Sequence, residues 1–239
     1  MKILLFGCGP MADAVADLCS KKEVTCIRNF FDKENHDSVN VHDTVAIYFG
    51  SGRELPRLIE FSQKSKIPII QGSSYPDAIK HMNEAKGVAI VHAPNLSIPV
   101  VKFMSLFREQ VKVLSDFMDL SILESHQKAK KDVSKTAREM ADMAGLNHEY
   151  IESIRDPEEQ VELLGVPKEH LGGHAYHFFN FEGMGVKIQT SIMIHGRETY
   201  ALGSLLLAAG LLERGILLDF QDGPVKFVDI PDSFYLNRG

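Results

Sequence analysis

The chain has 239 residues, 44% of them hydrophobic and 24% charged, with a formal net charge of −6. That length and balance suit one large or two modest globular domains whose core needs no metal or disulfide staple. The mild acidity excludes the broad basic footprint of a general nucleic-acid binder, and no apolar run approaches the roughly 20 residues of a membrane span.

In chain order, MKILLFGCGP opens with a short apolar run that Gly and Pro stop, so no secretory signal is expected. Residues 2-KILLF-6 predict a buried strand. Residues 10–20 carry Met11, Val15 and Leu18 on one helical face. Strands are predicted at 23–30, 44–50, 67–74 and 88–94, with helices at 53–65 and 76–87, the latter framed by Pro76 and Gly87. Strand and helix alternating over 90 residues imply a parallel sheet covered on both faces. The pattern then changes. A helix is expected over 98–115, a strand over 117–127, a helix over 134–145, a strand over 186–195 and a helix over 197–214. The Met and Phe residues of 103–118 fall at helical spacing and read as core. The charged, proline-bearing stretch 155–170 reads as loop or short helices. The fold class is therefore α/β: a Rossmann-type parallel sheet domain, then an α+β segment with a mixed open sheet.

Between the first strand and helix lies 7-GCGPMA-12, a G-x-G-x-x-A string. In a dinucleotide-binding turn Gly7 makes the bend, Gly9 lets backbone N–H groups approach a pyrophosphate, and Ala12 lets helix and strand pack closely. Pro10 and Met11 open the helix whose free N–H groups and dipole hold the anion. The same string also serves as a plain tight turn. Cys8, inside it, reads as small-residue packing, with a redox-sensitive thiol as the alternative. The three cysteines, Cys8, Cys19 and Cys26, have neither CxxC nor zinc spacing, which suits reduced thiols and a cytoplasmic protein. Near the end of the second strand stand Arg28 and Asn29 where an acid would bind the adenine ribose. That fits a 2′-phosphate, hence NADPH, and equally a solvated Arg at a strand end; use of both NADPH and NADH stays open. The strand ends 49-FGSG-52, 72-GSS-74 and 93-APNLS-97 carry small residues with accessible backbone, suited to a nicotinamide, though bland turns look the same.

The second constellation is 124-ESHQKAKKDVSKTA-137, strongly basic inside an acidic chain. If 117–127 is a strand, Glu124 and His126 share a face, with Lys128 and Lys130 at the same spacing as far as the strand continues. Ser134 and Thr136 precede a helix, and Thr136 with Glu139 makes a candidate capping box. A proton donor, ammonium groups and free helix N–H groups suit a carboxylate substrate whose reaction takes up a proton. A solvated charged turn is the competing reading. His174 and His177 lack a third converging ligand, so a structural sheet position is expected and no metal site.

These strings, in this order, resemble the dihydrodipicolinate reductase (4-hydroxy-tetrahydrodipicolinate reductase) family. Its E-x-H-H-x-x-K-x-D-x-P-S-G-T-A motif is similar to the 124–137 string at Glu124, His126, Lys130, Asp132, Ser134, Thr136 and Ala137. Its glycine turn, G-T-T-G loop, A-x-N-[FM]-S-x-G segment, G-E-H motif and R-x-x-F-A-x-G run resemble 7-GCGPMA-12, 72-GSSY-75, 93-APNLSIP-99, 172-GGH-174 and 197-RETYALG-203. The resemblance implies NAD(P)H on Gly7, Gly9 and Met11, with Phe49, Gly72 and Ser74 toward the nicotinamide and Asn95 and Ser97 at the hinge between domains; Pro10, Arg28, Ser73, Ala93, Pro94 and Asn95 are expected at the cofactor as well. It implies His126 as proton donor, Lys130 as its acid partner, and Gln127, Ser134, Lys135 and Thr136 on a substrate carboxylate. Gln127 stands for the motif's second His, Val133 for its Pro, Lys135 for its Gly, Pro99 for a hinge Gly and Tyr75 for the last Gly of the nicotinamide loop. A side chain at 135 disfavours positive φ, so a rearranged carboxylate loop is expected.

The implied activity is reduction of 4-hydroxy-tetrahydrodipicolinate in lysine and diaminopimelate synthesis. The implied assembly is a homotetramer with no nucleic-acid or membrane partner. A dinucleotide-binding domain over 1–97 with 197–239 and a substrate and tetramerisation domain over 98–196 follow. Two readings compete: a related NAD(P)-dependent dicarboxylate or amino-acid dehydrogenase, and a non-catalytic NAD(P)-binding regulator.

Overall fold

The computed structural model describes residues 1–32 and 39–213, with the backbone of a short strand at 225–226. Two compact units emerge: Met1–Ile98 with the described part of Glu198–Gly239, and Pro99–Arg197. Apart from that short strand, the fold-back expected beyond residue 213 lies outside the described residues.

The first unit opens with β1 (Lys2–Phe6), α1 (Pro10–Lys21) and β2 (Thr25–Arg28). It continues with β3 (Thr44–Tyr48), α2 (Leu55–Ser65), β4 (Ile69–Gln71), α3 (Pro76–Glu84) and β5 (Ile90–His92). Pro at the start of α1, α2 and α3 supplies a preset helical φ and gives up an N–H the helix would not use. The chain leaves through α4 (Ile98–Leu114). The second unit holds β6 (Asp119–His126), α5 (Lys135–Met143), β7 (Ile151–Ile154), α6 (Pro157–Glu162), β8 (His174–Gly183) and β9 (Val186–His195). It returns as α7 (Glu198–Glu213) and β10 (Val225–Lys226).

The first sheet is parallel throughout, in the order β2-β1-β3-β4-β5-β10. Its central strands are apolar on both faces: Ile3, Leu4, Val45, Ala46, Ile47, Ile69 and Ile70 have no exposed surface. Each buried Ile or Leu contributes roughly 1.5–3 kcal/mol. Register decides where the strands stop. Phe6 pairs with Tyr48, Tyr48 with Gln71, and Gln71 with His92. The next residues, Gly7, Phe49, Gly72 and Ala93, therefore line one edge of the sheet.

The second sheet is mixed, β7-β6-β8-β9, with β6 and β7 parallel and the other pairs antiparallel. One face carries Phe179 and Phe181 against Phe107 of α4, at ring separations of 4.7 and 6.0 Å. The strand expected at 117–127 ends at His126. Strand β7 has four residues, too few for the alternation rule, and was not expected. The charged stretch after it holds α6, started by Asp156, whose carboxylate accepts from the N–H of Glu158 and Glu159.

Candidate active site

Register builds the site in the second unit. Glu124 pairs with His177 and His126 with Ala175, so Glu124, His126 and His177 share one face of the sheet. The Glu124 side chain has no exposed surface. One carboxylate oxygen meets His126 Nδ1 at 2.5 Å. The other accepts from Ser153 Oγ at 2.6 Å and from Arg155 Nη2. Burial alone would raise this carboxyl. The hydrogen bonds from His126, Arg155 and Ser153 outweigh it and hold Glu124 at about 2. Glu124 is thus an anion and an acceptor only, so the proton on Nδ1 belongs to His126. Its Nε2 is the atom left to carry a proton elsewhere.

The His126 and His177 rings meet edge-on with centroids 5.3 Å apart. Burial pushes His177 down to about 3 and so keeps it neutral. His177 Nε2 is hydrogen-bonded to Ser134 Oγ at 2.8 Å, and that oxygen accepts from the N–H of Ala137 at 3.0 Å. Ser134 is the N-cap of α5. One buried histidine therefore ties the helix start to the sheet beneath His126. After His126 the chain turns, with Lys130 N–H donating to Gln127 O at 2.9 Å. Arg155 Nε donates to Lys130 O at 2.9 Å and Gln160 Nε2 to His126 O at 2.7 Å.

Several expectations change here. Lys128 and Lys130 do not continue the strand alternation, because β6 stops at His126 and they lie in the turn. The helix is capped by Ser134, not by a Thr136–Glu139 box, since Thr136 is already inside α5. Lys135 is the first helical residue and is absent from the positive-φ positions, so no glycine-like backbone is needed there. Its Nζ lies 3.8 Å from Glu139 Oε1. Between Asp132 and Ser134 stands one residue, where the family string quoted above has two. His126, Gln127, Lys130, Ser134, Lys135 and Thr136 lie along one strand end, turn and helix start. His174 and His177 fall on opposite faces of β8; His174 Nε2 is bonded to Ser125 Oγ at 2.9 Å. Sequence reading missed Ser153, Arg155 and Gln160. Glu124 was legible as an acid on the His126 face, but its burial, which demands donors from elsewhere, was not.

In the first unit Gly7 has φ +119°, and a Cβ there would lie 3.0 Å from the Phe49 carbonyl carbon. Gly9 precedes α1 with open space at its Cβ position. Ala12 is fully buried against the sheet. Pro10 lacks an N–H, and those of Met11 and Ala12 have no intrahelical partner. This open, donor-bearing turn fits a pyrophosphate. Arg28 lies beside it, with Nη1 donating to Asp13 Oδ1 at 2.9 Å and Nη2 to Gly7 O at 3.2 Å. A Cβ at Gly72 would press on the Phe49 ring at 2.5 Å, so a bare backbone is required. Ser73 Oγ donates to Gly50 O at 2.7 Å, which commits that hydroxyl to shaping the loops. Asn95 Oδ1 accepts from the N–H of Ser97 at 3.0 Å, and Ser74 and Pro94 are exposed while Ala93 is buried. Cys8 is exposed, so its packing reading does not hold.

The chain is 32% identical over 161 residues to 4-hydroxy-tetrahydrodipicolinate reductase 1, chloroplastic, of Arabidopsis thaliana, covering 61% of this chain and 46% of that protein. The chain spans about half the length of the plant relatives it matches. It is 27% identical over 239 residues to 4-hydroxy-tetrahydrodipicolinate reductase of Caldanaerobacter subterraneus subsp. tengcongensis, covering 89% and 93% of the two chains. In fold it is similar to the dipicolinate-bound dihydrodipicolinate reductase of Paenisporosarcina sp. TG-14, with a TM-score of 0.58, 14% identity and coverage of 95% and 97%. The family described as dihydrodipicolinate reductase, C-terminus, matches residues 99–222, more than half of the chain and the whole stretch that builds the Glu124–His126 cluster. The chain belongs to the dihydrodipicolinate reductase family.

Proposed function

We propose that this protein is an NAD(P)H-dependent reductase of 4-hydroxy-tetrahydrodipicolinate, yielding tetrahydrodipicolinate for lysine and diaminopimelate synthesis. The observation that carries the reading is the buried, ionised Glu124 holding His126 by Nδ1, so that Nε2 is free to deliver a proton. The glycine turn at Gly7 and Gly9 would hold the dinucleotide pyrophosphate on the N–H groups of Met11 and Ala12. Phe49, Gly72 and the backbone after β5 would border its nicotinamide. When bound, the nicotinamide supplies the hydride.

In the other unit, Ser134, Lys135 and Thr136 at the start of α5 would bind one carboxylate of the substrate, combining helix N–H groups with an ammonium charge. Gln127 would add a neutral hydrogen bond. Lys130 would stabilise negative charge and share the proton delivery of His126. Arg28 supports NADPH, its guanidinium already lying at the turn; release from Asp13 would let it meet a 2′-phosphate. A homotetramer is part of the proposal, supported by β9, a ten-residue edge strand with exposed Val186 and Met193. A cytoplasmic location is proposed on the cysteine pattern.

The experiment follows NAD(P)H oxidation with 4-hydroxy-tetrahydrodipicolinate, with NADH and NADPH titrated side by side. Turnover competitively inhibited by pyridine-2,6-dicarboxylate, and reduced at least 100-fold by His126→Ala, is expected. Nucleotide binding with no turnover would sink the enzymatic reading.

A further inference from the structure

Arg155 follows β7, some 30 residues after the motif it touches, and its guanidinium is spent entirely on that neighbourhood. Nη2 donates to Glu124 Oε1 and to Asp132 O at 3.3 Å, Nε to Lys130 O at 2.9 Å, and Nη1 to Ile154 O at 3.1 Å. Its side chain is 19% exposed and that of Glu124 not at all. A surface arginine would gain little from such contacts. Here the cation balances a buried anion and fastens two carbonyls of the turn between β6 and α5. A lysine would supply the charge but not the planar fork that reaches several acceptors at once.

We propose that Arg155 is a positioning residue for proton delivery: it fixes the Glu124 carboxylate that orients His126 and, through the carbonyls of Lys130 and Asp132, the turn that carries Lys130. The kinetic part of this proposal rests on the reductase reading above. Two effects separate on substitution. The first is electrostatic. The charged or titratable groups about His126 are Glu124 on β6, His174 and His177 on β8, Arg155 after β7 and Lys130 in the turn. Removing Arg155 leaves the buried Glu124 carboxylate without its permanent cation, held only by Ser153 and His126. The second is geometric. Without the fork, the Lys130 turn loses two of its anchors.

The test uses the full-length protein with Arg155→Met and Arg155→Lys. His126 is titrated by NMR of its imidazole in the substrate-free protein, and kcat and KM are measured across pH. In Arg155→Met the pH response of the His126 signal should differ from that of the unsubstituted protein, with kcat down roughly 100-fold. Arg155→Lys should return that response to the unsubstituted one, yet recover only part of kcat, because charge is restored and the fork is not. NADPH binding in the other unit should be unchanged in both, and a dispersed NMR spectrum retained by the second unit separates the effect from its unfolding. A His126 pH response that does not change in Arg155→Met, or an Arg155→Lys protein that titrates like the Met variant, overturns the proposal. If the unsubstituted protein has no reductase activity, the function reading fails, and the His126 titration still decides the role of Arg155.

Discussion

A carboxylate with no exposed surface must either find donors or take up a proton. Glu124 takes the first course, with His126, Ser153 and Arg155 as donors. Replacing it by Gln keeps the shape and removes the charge. Arg155 is then left as a largely buried cation without its anion, the costly half of a broken buried pair. Glu124→Gln should therefore destabilise the second unit by roughly 3 kcal/mol and lower kcat by about two orders of magnitude, since His126 loses the acceptor that fixes its tautomer. Urea unfolding and steady-state kinetics check the two effects, and a variant with unchanged unfolding midpoint would contradict the buried-pair account. This residue also marks what sequence could and could not tell. That Glu124 and His126 share a face was legible from strand alternation. That Glu124 is buried was not, because its balancing cation stands in a charged, proline-bearing stretch that resembles a solvated loop.

At the scale of elements, the parallel sheet was legible because its central strands are buried on both faces and read as apolar runs, with Pro and Gly marking the helices between them. The second unit was harder. Strand β7, IESI, has only Ile151 and Ile154 buried, and its place is fixed by pairing with β6, which no local pattern encodes. The helix expected over 134–145 starts at Lys135, and of the two hydroxyls that can cap it the choice falls to Ser134, whose oxygen also meets buried His177. Ser134→Ala should thus cost more than an ordinary cap. Loss of the cap alone is worth about 1 kcal/mol, and a buried imidazole nitrogen without a partner adds about 1–3 kcal/mol. Urea unfolding should report roughly 2–4 kcal/mol in total, and KM for the dicarboxylate should rise as the helix start loosens. Ser134→Thr, which keeps the hydroxyl, should recover most of both. A loss no larger than an exposed cap gives would show that the His177 contact contributes nothing.

At the scale of the whole molecule, three groups shifted in the acid range lie in one unit. Glu124, His174 and His177 all fall between Pro99 and Arg197, and all are displaced downward. For His177 the ordinary value is 6.5 and the folded one about 3, through burial first. Between those limits the unfolded chain binds a proton that the folded chain refuses. The stability present above pH 6.5 is therefore lost as the pH falls toward 3. Glu124 acts in the same direction over a lower window, from 4.5 to about 2. Between pH 7 and pH 5 the histidine alone should remove roughly 2 kcal/mol from the second unit. These three groups act on the second unit, so the loss over that interval should be read there. Peptide-resolved hydrogen exchange in rising urea, corrected for the intrinsic effect of pH, reads each unit separately. Peptides from 99–197 should lose protection at lower urea at pH 5 than at pH 7. His177→Gln should reduce that shift, leaving the part that comes from His174. A shift in 99–197 that His177→Gln leaves unchanged would mean that acid sensitivity does not arise from the cluster beneath His126, and the neutral state assigned to His177 would have to be abandoned.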